Sequence, residues 1–342
     1  MNKHSVATIE DVADIAGVSI ATVSRAIHTP AKVADATRRK VLDAIAQTGY
    51  TANAMAQSLR MRRSNMILIL ASDVGDPNFS NILVGLETEA SKHGYGVLIG
   101  NTQNDPNRET DYLGFMLSNK ADGLILLTGH LPLGVAQQAA ISRLPPIVAV
   151  NEPVRNGDVP FVGVDNFEGA RIATDYLISQ GHKSIAFIGH SNSKLVNSMR
   201  EQGYRASLKA VGLKVDPQLI LEADGTTESG RAAAEQMFVR DTLPTAFFCV
   251  NDATALGVMI ALSTRGYNLP EDFSVMGFDD ISFASFVTPP LTTMQQPRLS
   301  IGEVAMDLLL ALVQGKSIEQ REVLLRSELI VRNSVAAYSG DK

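Results

Sequence analysis

The chain has 342 residues, 45% hydrophobic and 19% charged, which is enough for two or three domains with substantial cores. Thirty basic against 36 acidic residues give a net charge of −6, which argues against a surface coated in basic charge for nucleic acid or membrane. A single cysteine, Cys249, excludes an internal disulfide framework and suits a reducing compartment, and the absence of any long apolar run argues against a secretory signal or a membrane span. These bounds lead us to expect a soluble, cytoplasmic, multidomain globular protein.

The charge is unevenly spread. Residues 1–65 hold nine basic and five acidic side chains, so this head is +4 and the remaining 277 residues are −10. Thr8 followed by Asp11 predicts a capping box opening a first helix. Val12, Ala13 and Ala16 recur at helical spacing, and Gly17 suits a left-handed end. Ser19 is placed to cap a second helix, with Val23, Ala26 and Ile27 on its inner face. Asp35 is expected to cap a third, with Val41, Ala44 and Ile45 inward and Gly49 ending it. Two helices joined by a tight glycine turn, closed by a third, is a helix-turn-helix pattern.

From Met66 the texture changes to short β-rich runs alternating with helical patterns. The runs Met66–Ala71, Gly96–Ile99, Gly123–Leu127 and Ile147–Val150 predict strands. So do Ser184–Ile188, Thr245–Val250 and Ser274–Phe278. Helices are expected over Phe79–His93, Arg108–Asn119, Gly134–Ser142, Phe167–Gln180, Asn197–Val211 and Ala253–Thr264. Such alternation implies βαβ units and parallel sheets, in two series of about one doubly wound domain each.

The segment T-I-E-D-V-A-D-I-A-G-V-S-I-A-T-V-S-R-A-I, Thr8 to Ile27, resembles the DNA-binding head of the Lac/Gal repressor family. The likeness continues through Gly49-Tyr50 and Asn53–Leu59, then through D-G-L-I-L-L, G-H-K-S-I, R-E-Q-G-Y, N-D-A-T-A-L-G and G-F-D-D in the body. It covers essentially the whole chain. At H-G-Y-G-V-L-I-G, L-P-P-I-V-A-V-N-E, P-P-L-T-T-M-Q-Q-P-R and E-L-I-V-R-N-S it is most similar to the cytidine (nucleoside) repressor branch. The resemblance implies a small all-α helix-turn-helix head plus an α/β periplasmic-binding-protein-like body of two doubly wound parallel-sheet subdomains. It implies a DNA-binding domain over residues 1–51, a hinge helix and linker over 52–65, and an effector-binding and dimerisation domain over 66–342. The N-subdomain would take about 66–161 and 293–322, and the C-subdomain about 162–292 and 323–338.

By this resemblance Ser19 to His28 is the recognition helix, entering the major groove. Ile20 and Ala21 sit where the family reads bases and can touch thymine methyls; Arg25 is the candidate for a bidentate contact to guanine. Thr8, Ser19, Thr22, Ser24 and Lys32 suit phosphate contacts, with helix capping as the plain alternative for Thr8 and Ser19. Asn53 to Arg60 would be a hinge helix, too short to be stable alone. In the family it orders on operator DNA and wedges a leucine, here Leu59, into the minor groove. Arg60, Arg62 and Arg63 then lie beside phosphates, or simply form a solvated linker.

The body's cleft is expected at the C-terminal ends of the strands. Asn78 and Phe79 follow the first strand, and Asn151 follows Ile147–Val150. Arg200, Asp252 and Asp279 carry over from family effector positions. Carboxylates and an arginine suit the hydroxyls of a sugar or ribose. Phe79 either stacks on the ligand or belongs to the core; Asp252 and Asp279 either contact ligand or cap a helix. The purine-binding members carry an aromatic pair where Asn78-Phe79 stands and a further aromatic near Gly225. That departure argues against a purine base, and the likeness to the cytidine branch implies a nucleoside or pentose instead.

The expected protein is a ligand-responsive transcriptional regulator, a repressor acting as a homodimer on a pseudo-palindromic double-stranded operator. No membrane partner, cofactor, metal site or catalytic residue is expected. The alternative is a solute-binding sensor without direct DNA regulation, against which the basic head counts. A dinucleotide enzyme lacks its glycine fingerprint, since the turn after the first strand reads Ser72-Asp-Val-Gly-Asp-Pro77. The six histidines are scattered, and Cys249 lies in an apolar run that reads as core.

Overall fold

A computed structural model describes residues 7–50, 63–118, 120–132, 144–154, 159–190, 195–240, 243–338 and 340. The chain divides into two compact units, Met1–Ser64 and Asn65–Lys342. The expected helix over Gly134–Ser142 and the hinge positions Asn53, Leu59 and Arg60 lie outside the described residues.

The head contains α1 (Ile9–Ala16), α2 (Ile20–His28) and α3 (Asp35–Thr48). Thr8 and Asp11 close the predicted capping box, the Thr8 N–H donating to Asp11 Oδ2 at 2.7 Å. Gly17 ends α1 in the left-handed region at φ 66°. Ser19 caps α2 by accepting the Thr22 N–H at 3.2 Å. The N-cap of α3 is Ala34, not Asp35, which sits in the first turn and pairs with Arg38 at 3.1 Å. An acid there still favours the positive helix end. Val12, Val23 and Val41 are fully buried between the three helices, and each such valine stabilises the head by about 2 kcal/mol.

Among the described residues, the body holds three sheets. β1 (Met66–Ala71), β2 (Gly96–Asn101), β3 (Gly123–Leu127), β4 (Ile147–Val150), β5 (Phe161–Val164) and β11 (Glu322–Leu325) form one parallel sheet in the order β11-β5-β4-β3-β1-β2. β6 (Ile185–His190), β7 (Ile220–Glu222), β8 (Ala246–Cys249) and β9 (Ser274–Met276) form a second, in the order β7-β6-β8-β9. β10 (Thr293–Gln295) and β12 (Glu328–Ile330) pair antiparallel on their own. The inner strands β1, β3, β4, β6 and β8 read as near-continuous buried apolar runs, as expected of parallel strands covered on both faces, while β2 and β11 at the edges are partly exposed. The first sheet runs through Val164 and Leu325, a few residues past 161 and 322, because β5 continues the register of β4 and β11 continues that of β5.

The helices of the body are α4 (Pro77–Lys92), α5 (Pro106–Leu117), α6 (Asn166–Ser179), α7 (Leu195–Ala210), α8 (Thr227–Met237), α9 (Asp252–Thr264) and α10 (Arg298–Val313). They pack in pairs, α4 on α10, α6 on α7 and α8 on α9. Glycine sets the first spacing: a Cβ on Gly85 would meet the Leu299 carbonyl at 2.1 Å, and one on Gly302 the Ile82 carbonyl at 2.2 Å. The chain leaves the first sheet between β5 and α6, returns through β10 into α10, and crosses again between β11 and β12. No helix among the described residues is long and apolar enough to cross a membrane.

Candidate functional site

In the head, Ile20, Ala21 and Arg25 lie exposed on α2, while Val23 and Ala26 hold the opposite face in the core. Thr8, Ser19 and Lys32 are exposed, and Thr22 and Ser24 half-buried. Arg25 folds back along its own helix, Nε donating to the Ala21 carbonyl at 3.1 Å. Thr8 and Ser19 both cap helices, so their hydroxyls sit at two helix N-termini that favour anions.

In the body, a cavity of about 550 Å³ opens where the strands of both parallel sheets end. Leu127 ends β3, and Ser72, Thr128, Asn151 and Glu152 follow β1, β3 and β4 on one wall, while Gly225, Val250, Asn251 and Asp279 follow β7, β8 and β9 on the other. Both sheets thus direct their C-terminal ends, and the turns after them, at one space.

Arg200 projects from α7 into this space and is 5% exposed. Its Nε donates to Asn166 Oδ1 at 2.8 Å and its Nη1 to the Val250 carbonyl. The guanidinium lies 3.7 Å from the Phe278 ring centroid, and Nη1 is 3.6 Å from Asp279 Oδ1. Burial draws Arg200 below the ordinary guanidinium range, against the pull of Asp279, Glu152 and Asp252. Asp279 stands at φ 118° and accepts from Gln296 Nε2. Burial raises its carboxyl to about 6, with Arg200 opposing and Asp76 across the cleft adding. The neighbouring Asp280 holds Arg332 at 2.7 Å, which ties the cleft floor to the segment after β12.

The facing wall is also polar. Asn78 is 5% exposed, lines the cavity, and its Oδ1 has no hydrogen-bond partner. Asn151 stands at φ 67° beside it. Glu152 accepts the Leu195 N–H at 2.7 Å. The wall also includes His130, whose Nε2 lies 2.8 Å from the buried Glu109 carboxylate.

Of the predicted effector residues, Asn78, Asn151, Arg200 and Asp279 meet in the cavity. Phe79 is 5% exposed in the core, although it borders a smaller adjoining recess of about 40 Å³. Asp252 does not line the cavity. It is fully buried, its carboxylate accepting the Ile281 N–H at 2.8 Å and the Thr293 hydroxyl at 2.5 Å. Burial raises it to about 8, with Asp279 adding. Asn251, not Asp252, caps α9 by accepting the Thr254 N–H at 2.8 Å. Sequence alone does not single out His130 and Glu109, which lie 21 positions apart and share no local motif. Apart from the cavity, Glu89, His93 and Asp307 cluster between α4 and α10, where Lys92 already pairs with Glu89 at 2.7 Å.

A DNA-reading helical head joined to a two-lobed body with a polar cleft defines a ligand-responsive transcription regulator. Residues 8–53 match the family model of bacterial regulatory proteins of the lacI family, and residues 174–335 that of a periplasmic binding protein-like domain. The chain is 39% identical over 335 residues to the transcriptional repressor CytR of Escherichia coli strain K12, covering 98% of each. It resembles the solved lac repressor dimer bound to operator and the anti-inducer ONPF, with a TM-score of 0.86 at 29% identity over 97% of this chain and 100% of that one. It also resembles a regulator of the same family from Enterococcus faecium with bound ribose, with a TM-score of 0.72 at 26% identity over 80% of this chain and 100% of that one. The chain belongs to the lacI family of bacterial regulatory proteins. It is a DNA-binding transcription regulator with an effector-binding body, and not an enzyme.

Proposed function

We propose that this regulator is a cytoplasmic repressor that binds a pseudo-palindromic operator as a homodimer and carries a nucleoside or pentose in its cleft. The observation that carries the ligand class is the Arg200–Asp279 pair, buried at the cavity floor 3.6 Å apart. A carboxylate accepting from neighbouring hydroxyls, beside a guanidinium donating to them, is how polyols are held. The bound ribose of the Enterococcus faecium relative agrees with a pentose-bearing ligand.

In the head, Ile20, Ala21 and Arg25 would read base edges, and Thr8, Ser19, Thr22, Ser24 and Lys32 would hold phosphates. Asn53, Leu59 and Arg60 would form the hinge that wedges the minor groove. Phe283 on a 3₁₀ turn and Phe286 at its end, 59% and 82% exposed, form the kind of apolar surface that a second copy covers. Ligand would favour one arrangement of the two lobes and so bias the hinge, which requires only different affinities for the two arrangements.

Thermal unfolding of the full chain with ribose, cytidine, uridine, adenosine or glucose tests the ligand class. A ligand of the native state raises the midpoint in a concentration-dependent way. A rise with glucose alone, or with none of the five, contradicts the proposal.

A further inference from the structure

His130 carries the sole aromatic ring among the described residues that line the cavity. None of the body residues outside the description is aromatic either. Phe79, the other candidate flat surface, lies in the core instead.

The His130 ring is held firmly. Its Nδ1 donates to the Thr128 carbonyl at 2.9 Å, and its Nε2 meets Glu109 Oε1 at 2.8 Å. The Glu109 side chain is 3% exposed and the His130 side chain 46% exposed. Both nitrogens are therefore occupied, while nearly half of the side-chain surface stays open. Such a ring has no nitrogen to offer a ligand and presents its carbon edge and its face.

We propose that His130 is a specificity-determining residue that packs its imidazole face against the planar base of a nucleoside whose pentose is held by Arg200 and Asp279. This rests on the reading of the cleft as a nucleoside or pentose site. The two halves of the ligand would meet different chemistry: hydroxyls at the buried ion pair, and a flat heterocycle at a fixed ring whose nitrogens are already bonded. Aromatic contacts tolerate different bases, because every base has a π-face. Glu109 is then a positioning residue, acting through His130 without touching the ligand.

Calorimetric titration of the full chain with cytidine and, separately, with ribose tests this. His130→Gln removes the ring and keeps a donor for the buried Glu109, and His130→Phe keeps a ring. The wild type is expected to bind cytidine more tightly than ribose. His130→Gln is expected to lose about tenfold or more for cytidine, in the range of one base stack, while its ribose affinity stays within about twofold. His130→Phe is expected to recover most of the cytidine affinity. Equal losses for both ligands, or no loss for cytidine, overturn the role of His130 and leave the ligand class standing. Binding of neither ligand by the wild type overturns both readings.

Discussion

The Glu152 carboxylate accepts the Leu195 backbone N–H at 2.7 Å, and the two residues come from opposite walls of the cleft. Leu195 is the first residue of α7, so its N–H has no partner within the helix. Glu152 supplies that partner from the end of β4, where Val150 and Asn151 set the turn. The bond therefore exists only while the two lobes stand close.

If the closed arrangement is the liganded one, Glu152→Ala weakens effector binding by about tenfold, the worth of one charged hydrogen bond. Glu152→Gln, which keeps an acceptor, recovers most of it. Titration calorimetry distinguishes the two variants; equal affinities in Glu152→Ala and the wild type contradict the role.

Asp279→Asn removes the carboxylate beside Arg200 and keeps its shape. Loss of the effector response with operator affinity unchanged is expected, because DNA is read by the separate head. Acid should imitate the substitution: with the Asp279 carboxyl at about 6, effector affinity falls as the pH drops below that value. A response that persists in Asp279→Asn assigns the residue to structure alone.

Asp252 supplies a stability test. Its folded-state pKa, raised to about 8, lies above its unfolded value near 3.8. Between these values the folded chain binds the proton that the unfolded chain has released. Its contribution to stability therefore falls as the pH rises through that window, by at most about 1.4 kcal/mol per pH unit. Denaturant titrations from pH 5 to pH 8 should show a flatter dependence in Asp252→Asn. An unchanged slope would mean that the buried carboxylate is ionised throughout.

The head offers a paired comparison. Arg25→Ala should cost operator affinity about 1–3 kcal/mol at its base and relax specificity there. Leu59→Ala should reduce both affinity and DNA bending, since the wedge is lost. Both variants should bind effector normally. Quantitative gel shifts and a bending assay read these effects, and a Leu59→Ala protein that bends its operator fully removes the wedge.

Much of this was legible because local signals and tertiary structure agree. Thr8, Gly17, Ser19 and Gly49 mark the ends of the head helices in the sequence and end them in the structure. The strands Met66–Ala71, Gly123–Leu127 and Ile147–Val150 are buried apolar runs with unambiguous limits. The helix Arg298–Val313 is not legible in the sequence because it is apolar on nearly every side and shows no stripe. Ala34 replaced Asp35 as a cap, since an acid in the first turn fits the pattern equally well. Asp252 could not be placed from sequence, because its partners, Ile281 and Thr293, lie 29 and 41 positions away. His130 is hidden in the sequence for the same reason: its place comes from Glu109 and from the cleft beside it.

The whole-chain charge of −6 misled only as an average, and the +4 head is where DNA contact is expected. The central claim is that one chain reads a two-fold DNA site under control of the cleft. It is tested most directly by selecting duplexes from a random library with the full chain, then titrating the winner with and without cytidine. The expected result is an enriched pseudo-palindrome bound steeply less tightly as salt rises, with an affinity that cytidine shifts. An enriched site without two-fold symmetry, or an affinity that cytidine leaves unchanged in the wild type while shifting its thermal midpoint, would contradict it.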